Sequence, residues 1–170
     1  MIFAEVLVTL FRDAKVAVVL SYGLLALLVA FHFRNKTRTA VVLGALACGI
    51  GWMLAIMDIT GVKLNFYNMI IIPAMIGMGE DNSVHVVDRF DEHGRSSIMY
   101  VLRTSGAAAF MASATAIFGY GGLCFAHHPG LRSIGWMAII GLGTCLLASL
   151  VLIPLLLQIF VKSEKKEQNA

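Results

Sequence analysis

The sequence predicts an all-α integral membrane protein with five transmembrane helices. Of its 170 residues, 59% are hydrophobic and only 14% are charged, and the mean hydropathy is +0.84. A soluble domain of this size is far less apolar. A helix that crosses the hydrocarbon core needs about 20 mostly apolar residues. Five windows of that kind follow one another along the chain.

The five windows leave room for short connections. They cover residues 14–33, 40–57, 66–87, 105–126 and 135–161. Residues 1–13 combine apolar positions at helical spacing with Glu5, so we expect this segment to lie along the membrane interface before the first span. Residues 162–170, KSEKKEQNA, form a charged tail. The predicted organisation is an interfacial segment, a five-helix transmembrane domain at 14–161 and a cytoplasmic tail.

Basic residues predict the orientation of these spans, because cytoplasmic connections carry the excess of Lys and Arg. One side of the predicted bundle carries Arg34, Lys36, Arg38, Arg89, Arg95, Arg103, Lys162, Lys165 and Lys166. The other side carries Arg12, Lys15, Lys63 and Arg132. We therefore expect the N-terminus outside and the C-terminus in the cytoplasm, in the inner membrane of a bacterium. An outside N-terminus without a signal sequence also predicts a fragment of a longer protein.

Small residues recur at spacings of three or four in three of the spans, where they allow helix backbones to approach closely. The three stripes are Gly44, Cys48 and Gly51; Ala109, Ser113 and Ala116; and Gly141, Cys145 and Ser149. The cysteines lack the spacing of metal ligands. We interpret them as packing residues and expect no metal site.

The third span contains GMGEDNSVHVVDRF, a stretch with ionisable residues inside an apolar helix. At about 1.5 Å per residue, Asp81 lies roughly 12 Å before Arg89 at the cytoplasmic end, within the hydrocarbon. Asp81, His85 and Asp88 share a helix face, whereas Glu80 is rotated by about 100°. An unpaired charge at the membrane centre costs at least about 2.5 kcal/mol, so such acids face protein or water and are functional by default. Asp88 fits the solvated exit of the helix.

Two interpretations of this acidic stretch stay open. Asp81 and His85 could simply pair with each other and hold the bundle together. Alternatively they carry protons, and the helix beside them changes shape. Pro73 removes a backbone hydrogen bond one turn ahead of Gly77 and Gly79, which weakens the helix there. A hinge beside a titratable group is what a proton-driven switch needs.

The third span and its flanks resemble a known family. The fourth-helix signature of the RND superfamily of proton-driven exporters, especially of its MmpL-like and Patched-like branches, is similar to LNFYNMIIIPAMIGMGEDNSVHVVDRFDEHG. The matching positions are Gly77, Gly79, Asp81, His85, Arg89 and Phe90. The family's fifth helix is similar to SGAAAFMASATAIFGYGGLCFAHHPGLRSIG, with Ser113, Thr115, Gly119 and Tyr120. FHFRNKTRTA and the final PLLL extend the resemblance to nearly the whole chain.

The resemblance implies that the five helices are spans two to six of one repeat, that is, half of an RND-type transmembrane bundle, with the charged tail marking the C-terminal half. It implies an exporter of lipids or other hydrophobic molecules, driven by the proton gradient without a cofactor. In this family the fourth-helix acid carries the proton, which places Asp81 as the relay carboxylate, His85 as a second station, and Ser113 and Thr115 as hydroxyl partners. The implied partners are membrane lipids, the hydrophobic substrate, the N-terminal half with its extracytoplasmic domain, and further copies of the chain in a homo-oligomer.

Two positions depart from the MmpL-like pattern. Asn82 stands where the pattern has Tyr, and Glu80 stands where it has an apolar residue. Asn cannot titrate, so the Asp-Tyr pairing is lost unless Tyr120 or Tyr67 takes its place. Glu80 adds a second acid, and two close carboxylates tend to share a proton. The sequence leaves open whether these changes strengthen the relay or alter its coupling.

Other function classes fit the sequence less well. A non-transporting sterol- or lipid-sensing module occupies the same five-helix extent and is the alternative. The stretch Gly-Met-Gly-Glu-Asp faintly resembles intramembrane aspartyl proteases, but the second buried acid that they need would have to be Asp58, at a membrane edge. We therefore expect no enzyme, and the basic residues show no aromatic interleaving that would indicate a nucleic-acid partner.

Overall fold

The computed structural model describes residues 2–33, 35–62, 65–69, 71–93 and 98–159, and every regular element within these ranges is helical. The all-α class is thereby confirmed. The α-helices are α1 (Ile2–Phe33), α2 (Lys36–Thr60), α3 (Phe66–Met69), α4 (Ile71–His93), α5 (Ile98–Val101), α6 (Ala107–Gly121) and α7 (Pro129–Leu147). A π-helical turn, Leu102–Gly106, joins α5 to α6, a 3₁₀ turn, Gly122–Phe125, ends α6, and a second π-helical turn, Ala148–Leu152, continues α7. The tail at 162–170 lies outside the described residues, as do Arg34, Lys63 and Arg95.

Four helical stretches in the described ranges are long and apolar enough to cross a membrane. They are Arg12–Phe33, Lys36–Thr60, Met99–Phe125 and Pro129–Ile159, which correspond to the first, second, fourth and fifth predicted spans. The third predicted window falls on α3 and α4. With 23 residues α4 is long enough to span, but six charged residues near its middle and end lower its hydropathy. It is the fifth and most polar candidate span.

Capping groups explain why the helices run past the apolar windows. The Asn35 side chain accepts a hydrogen bond from the Thr37 amide at 3.0 Å and starts α2. The same helix ends at Gly61, whose φ of +69° favours glycine. Pro129 occupies the first turn of α7, where a missing N–H costs nothing. These polar signals set the ends, whereas hydropathy locates the membrane-spanning part.

The first helix is continuous over 32 residues, which is about 48 Å at 1.5 Å per residue. A hydrocarbon core is about 30 Å thick, so part of α1 extends beyond it. Residues 2–13 continue the first helix without a break, and their interfacial position stays a prediction. The outer face of α1 exposes large apolar side chains such as Val19, Leu27 and Phe31, as a lipid-facing helix does.

The acidic helix α4 is central to the bundle, since it contacts α1, α2 and α7. One apolar cluster surrounds its C-terminal half and includes Val42, Leu46, Val87 and Ile153. A second cluster surrounds its N-terminal half and is rich in methionine, with Met53, Met57, Met75 and Met137. Most apolar residues of α4 are therefore packed, and its charged residues occupy the remaining faces.

Small residues allow α2, α4 and α7 to approach closely around Cys145, which is buried as its predicted stripe requires. A Cβ atom added to Gly79 would lie 2.9 Å from the Cβ of Cys145, and one added to Gly49 would lie 3.2 Å from the Cα of Cys145. The stripe predicted on α2 is wrong, because Cys48 and Gly51 are exposed. Spacing identified small residues on this helix but could not tell which side of it faces α7.

Candidate functional site

A cavity between the C-terminal half of α1 and the middle of α4 brings the predicted relay residues together. Its volume is about 420 Å³, enough for several water molecules. We call it the acidic cavity, and it is lined by Leu28, Val29, Phe31, His32, Glu80, Asp81, Val84 and His85. Two carboxylates and two imidazoles thus share a space with an apolar wall.

Asp81 and His85 lie one helical turn apart on α4, and both are exposed toward this cavity. Glu80, which helical geometry rotates away from Asp81, still reaches the same space together with Val84. Within the described part of the chain, Asp81 and His85 form no hydrogen bond or ion pair with each other. Mutual pairing of these two side chains, the simplest structural interpretation, therefore receives no support from the geometry.

The charged end of α4 is fastened to two neighbouring helices. Nε2 of His32, on α1, lies 3.1 Å from the carboxylate of Asp88. Nη2 of Arg38, on α2, donates to Oδ1 of Asp91 at 2.8 Å, and its guanidinium carbon lies 5.8 Å from the centre of the Phe90 ring. Sequence reasoning missed these pairs. The available signal was the opposite charge at one membrane end, where α1 ends, α2 begins and α4 ends.

Asn82 connects α4 to α6 through a hydrogen bond. Its Nδ2 donates to Oγ of Ser113 at 2.8 Å, and Ser113 is only 5% exposed. The predicted partner Ser113 therefore contacts Asn82. The hydroxyl of Thr115 donates to the Met111 carbonyl of its own helix, and Tyr120 packs against the methionine-rich cluster. Of the four predicted relay partners, Asn82, Ser113, Thr115 and Tyr120, the structure thus joins Asn82 to Ser113.

The three predicted hinge residues differ in their surroundings. The helix is continuous from Ile71 to His93 through Pro73. A Cβ added to Gly77 would meet no atom within 4 Å, whereas Gly79 packs against Cys145. Gly79 consequently has a packing role in this conformation, and a hinge at Pro73 and Gly77 stays a prediction.

A second cavity lies on the other side of His85, between α4 and the start of α6. Its volume is about 310 Å³. We call it the alanine cavity, and it is lined by Asn82, His85, Arg89, Ser105, Ala108, Ala109 and Ala112. His85 thus lines both cavities. Sequence reasoning did not single out Ser105, Ala108 or Ala112, and it gave Ala109 only a packing role, because a cavity between two helices has no signature in either helix alone.

Within the described ranges, no three His, Cys, Asp or Glu side chains converge in a way that could hold a metal ion. His128, in the short connection before α7, accepts a hydrogen bond from the Gly130 amide through Nδ1 at 3.1 Å. Its ring packs edge-on against Tyr67 at 5.4 Å between ring centres. This histidine caps α7 and contacts α3.

Comparison with known proteins adds a family to this geometry. The family described as protein export membrane protein SecD/SecF, C-terminal, matches residues 2–162. The hopanoid transporter HpnN of Burkholderia multivorans is 29% identical over 154 residues, which are 91% of this chain and 17% of that protein. HpnN of Rhodopseudomonas palustris is 28% identical over 150 residues, 85% of this chain and 17% of that protein. The membrane protein MJ1562 of Methanocaldococcus jannaschii is 24% identical over 143 residues, 81% of this chain and 37% of that protein.

No solved structure shows a significant similarity to the chain. The chain spans less than two fifths of the length of each of these three relatives. The HpnN relatives are transporters rather than enzymes, in agreement with the expectation that the chain is not an enzyme. The predicted membership of the chain in the RND superfamily is confirmed. Its place in the MmpL-like or Patched-like branch and the position of its spans in a repeat stay predictions. A family match over nearly the whole length and a bundle of apolar helices together establish that the chain is a multi-pass membrane protein of the SecD/SecF C-terminal family.

Proposed function

We propose that this chain is the transmembrane portion of a proton-driven exporter of lipids or other hydrophobic molecules, and that Asp81 carries the proton. The observation that carries the proposal is the acidic cavity, where Asp81, Glu80 and His85 meet between α1 and α4 on the surface of a unit of apolar helices. Ionisable groups at membrane depth are costly and mark ion or proton pathways. The similarity to hopanoid transporters supports a hydrophobic substrate.

Protonation of Asp81 changes which environment the side chain prefers. A neutral carboxyl group packs against the apolar wall formed by Leu28 and Phe31, whereas a carboxylate requires water or hydrogen-bond donors. Each form therefore favours a different arrangement of α1 against α4, and a proton that enters from one side and leaves to the other drives the exchange between them. The membrane potential contributes about 2.3 kcal/mol per charge for each 100 mV.

His85 is suited to be the second station of the relay. It lies one turn after Asp81 and lines both the acidic cavity and the alanine cavity. An imidazole can accept a proton on one ring nitrogen and donate from the other. In this scheme His85 passes the proton from the acidic cavity toward the charged end of α4, while Glu80 shares a proton with Asp81.

The partners in this proposal follow from what the chain leaves exposed. Asp81 and the apolar face of α1 lie on the surface of the five-helix unit. We infer that the other half of the transporter, with its extracytoplasmic domain, covers this surface, or that a second copy does so in a homo-oligomer. In this proposal the protein lies in a bacterial inner membrane. Its N-terminus is outside and its C-terminus is in the cytoplasm, the orientation that the basic residues favour.

The test replaces Asp81 by Asn in the chromosomal gene, so that the protein is made in its natural form. Asparagine keeps the shape of the side chain and, like the protonated carboxyl group, both donates and accepts hydrogen bonds, but it cannot release or take up a proton. We expect export to fall about tenfold or more. A side chain that stays in one protonation state cannot drive the exchange between the two arrangements, so turnover stops. Mass spectrometry of lipids in the inner membrane, outer envelope and medium measures the export, and immunoblotting measures the amount of protein.

The matched control is Asp58→Asn, which changes an exposed acid near the end of α2 outside the acidic cavity. This variant should export normally. Normal export by Asp81→Asn at normal abundance would refute the relay. The lipid-sensing alternative would be favoured by a different result: the wild type exports no lipid, and Asp81→Asn still binds lipid and keeps its regulatory phenotype.

A further inference from the structure

We propose that the alanine cavity binds the phosphate headgroup of an anionic membrane phospholipid. The proposal does not rest on proton transport, because its readout is lipid binding, and it shares only His85 with the proposed relay. The cavity differs from the acidic cavity in charge, since its described lining includes a guanidinium, an imidazole, an amide and a hydroxyl but no acid. This is a set of donors, and a phosphate oxygen is an acceptor.

The register of α4 and α6 arranges these donors by depth. The hydrogen bond between Asn82 and Ser113 fixes the level of the two antiparallel helices. Arg89 lies seven residues after Asn82, about 10 Å toward the charged end, and Ser105 lies eight residues before Ser113, about 12 Å in the same direction. Arg89 and Ser105 therefore lie at nearly the same depth, at the end of the helices where lipid headgroups are found.

The inner part of the cavity suits the glycerol and ester groups that join the phosphate of a phospholipid to its acyl chains. His85 and Asn82 follow Arg89 inward along α4, opposite Ala109 and Ala112. An amide and an imidazole can hydrogen-bond the glycerol and ester oxygens of a phospholipid, while the alanine methyl groups leave room for them.

The cavity exists because of two local features of the sequence. Alanine at 108, 109 and 112 leaves a space on one side of α6 that larger side chains would fill. The π-helical turn Leu102–Gly106 shifts the register just before α6 and places Ser105 toward Arg89. Such turns are frequent at functional sites. Gly106, in the same turn, packs against Leu150, to which an added Cβ would lie at 3.2 Å.

Arg89 can bind a phosphate while it holds Glu92. Its Nη1 donates to Oε2 of Glu92 at 2.9 Å, and a guanidinium carries five N–H donors in a planar fork. Of the other carboxylates of this helix, Asp88 contacts His32, Asp91 contacts Arg38, and Glu80 and Asp81 line the acidic cavity. A single cationic side chain with neutral donors thus faces the cavity.

The test is retention of lipid by the purified chain in detergent, measured by native mass spectrometry after addition of phosphatidylglycerol or phosphatidylcholine at equal amounts. We expect phosphatidylglycerol to be retained about fivefold or more in preference to phosphatidylcholine. Arg89→Gln should abolish the preference for phosphatidylglycerol because it removes the cation. Ala112→Leu should also abolish it, because the larger side chain fills the cavity while Arg89 keeps its charge. Arg89→Lys should restore it in part, because Lys binds phosphate without the planar fork.

Two controls make the result specific. Arg103→Gln removes an exposed basic side chain at the same end of the bundle but outside the cavity, and Glu92→Gln removes the ion pair of Arg89 without touching the cavity. Both should retain the lipid like the wild type, and circular dichroism should show equal helix content in all variants. Equal retention of the two lipids, or unchanged preference in Ala112→Leu, would overturn the proposal. Full displacement of phosphatidylglycerol by 10 mM inorganic phosphate would overturn it as well, since the site would then be one for free phosphate.

Discussion

Gly77 and Gly79 lie two residues apart on α4, yet they have opposite relations to their surroundings. Gly77 has open space where a side chain would begin, whereas Gly79 packs against Cys145 of α7. In a membrane, where helices gain little from hydrophobic association, such close backbone contacts supply much of the packing energy. The position of the small residue therefore matters more than its presence.

We predict that Gly79→Ala destabilises the bundle by about 1–3 kcal/mol, the usual cost of overpacking a close contact. Its Cβ would lie 2.9 Å from the Cβ and 3.0 Å from the Sγ of Cys145. Gly77→Ala is the matched control and should be neutral or slightly stabilising, because alanine favours helix. Unfolding by SDS in mixed micelles, followed by circular dichroism, measures both. Equal stability of the two variants would contradict the packing role of Gly79.

At the scale of elements, the ion pairs at the charged end of α4 differ in how much they contribute to stability. Arg38 is 17% exposed and connects α2 to Asp91 of α4. The Arg89–Glu92 pair lies within α4, and both of its side chains are more than half exposed. Exposed pairs within one helix contribute little, about 0.2–0.5 kcal/mol. A less exposed pair between helices also fixes their relative position.

We predict a coupling free energy of about 1 kcal/mol between Arg38 and Asp91. The cycle uses Arg38→Gln, Asp91→Asn and the double variant. Nη1 of Arg38 is buried without an acceptor among the described residues, a cost that lowers the stability due to Arg38 alone and cancels in the cycle. The matched cycle, Arg89→Gln with Glu92→Gln, should give less than about 0.5 kcal/mol. A larger coupling in the second cycle, measured by the same SDS unfolding, would show that this ranking is wrong.

The elements also show what one sequence can and cannot predict. Helical periodicity placed Asp81 and His85 on one face, and hydropathy located four of the spans, because both signals lie within a single helix. His32 and Asp88 are 56 residues apart, and their contact depends on how α1 packs against α4. The alanine cavity likewise depends on the register between α4 and α6, set by a hydrogen bond and a π-helical turn. Such features belong to pairs of helices and have no local pattern.

At the scale of the whole molecule, the distribution of basic residues makes a prediction about both membrane surfaces. Thr60 and Glu92 are exposed residues at the ends of α2 and α4 and should lie on opposite sides, with Thr60 outside. Single cysteines, Thr60→Cys and Glu92→Cys, in a background with Cys48, Cys124 and Cys145 replaced by Ala, report this directly. A membrane-impermeant maleimide should label position 60 in intact spheroplasts and position 92 only after the membrane is opened. The reverse pattern would overturn the orientation and, with it, the direction in which the proposed relay carries protons.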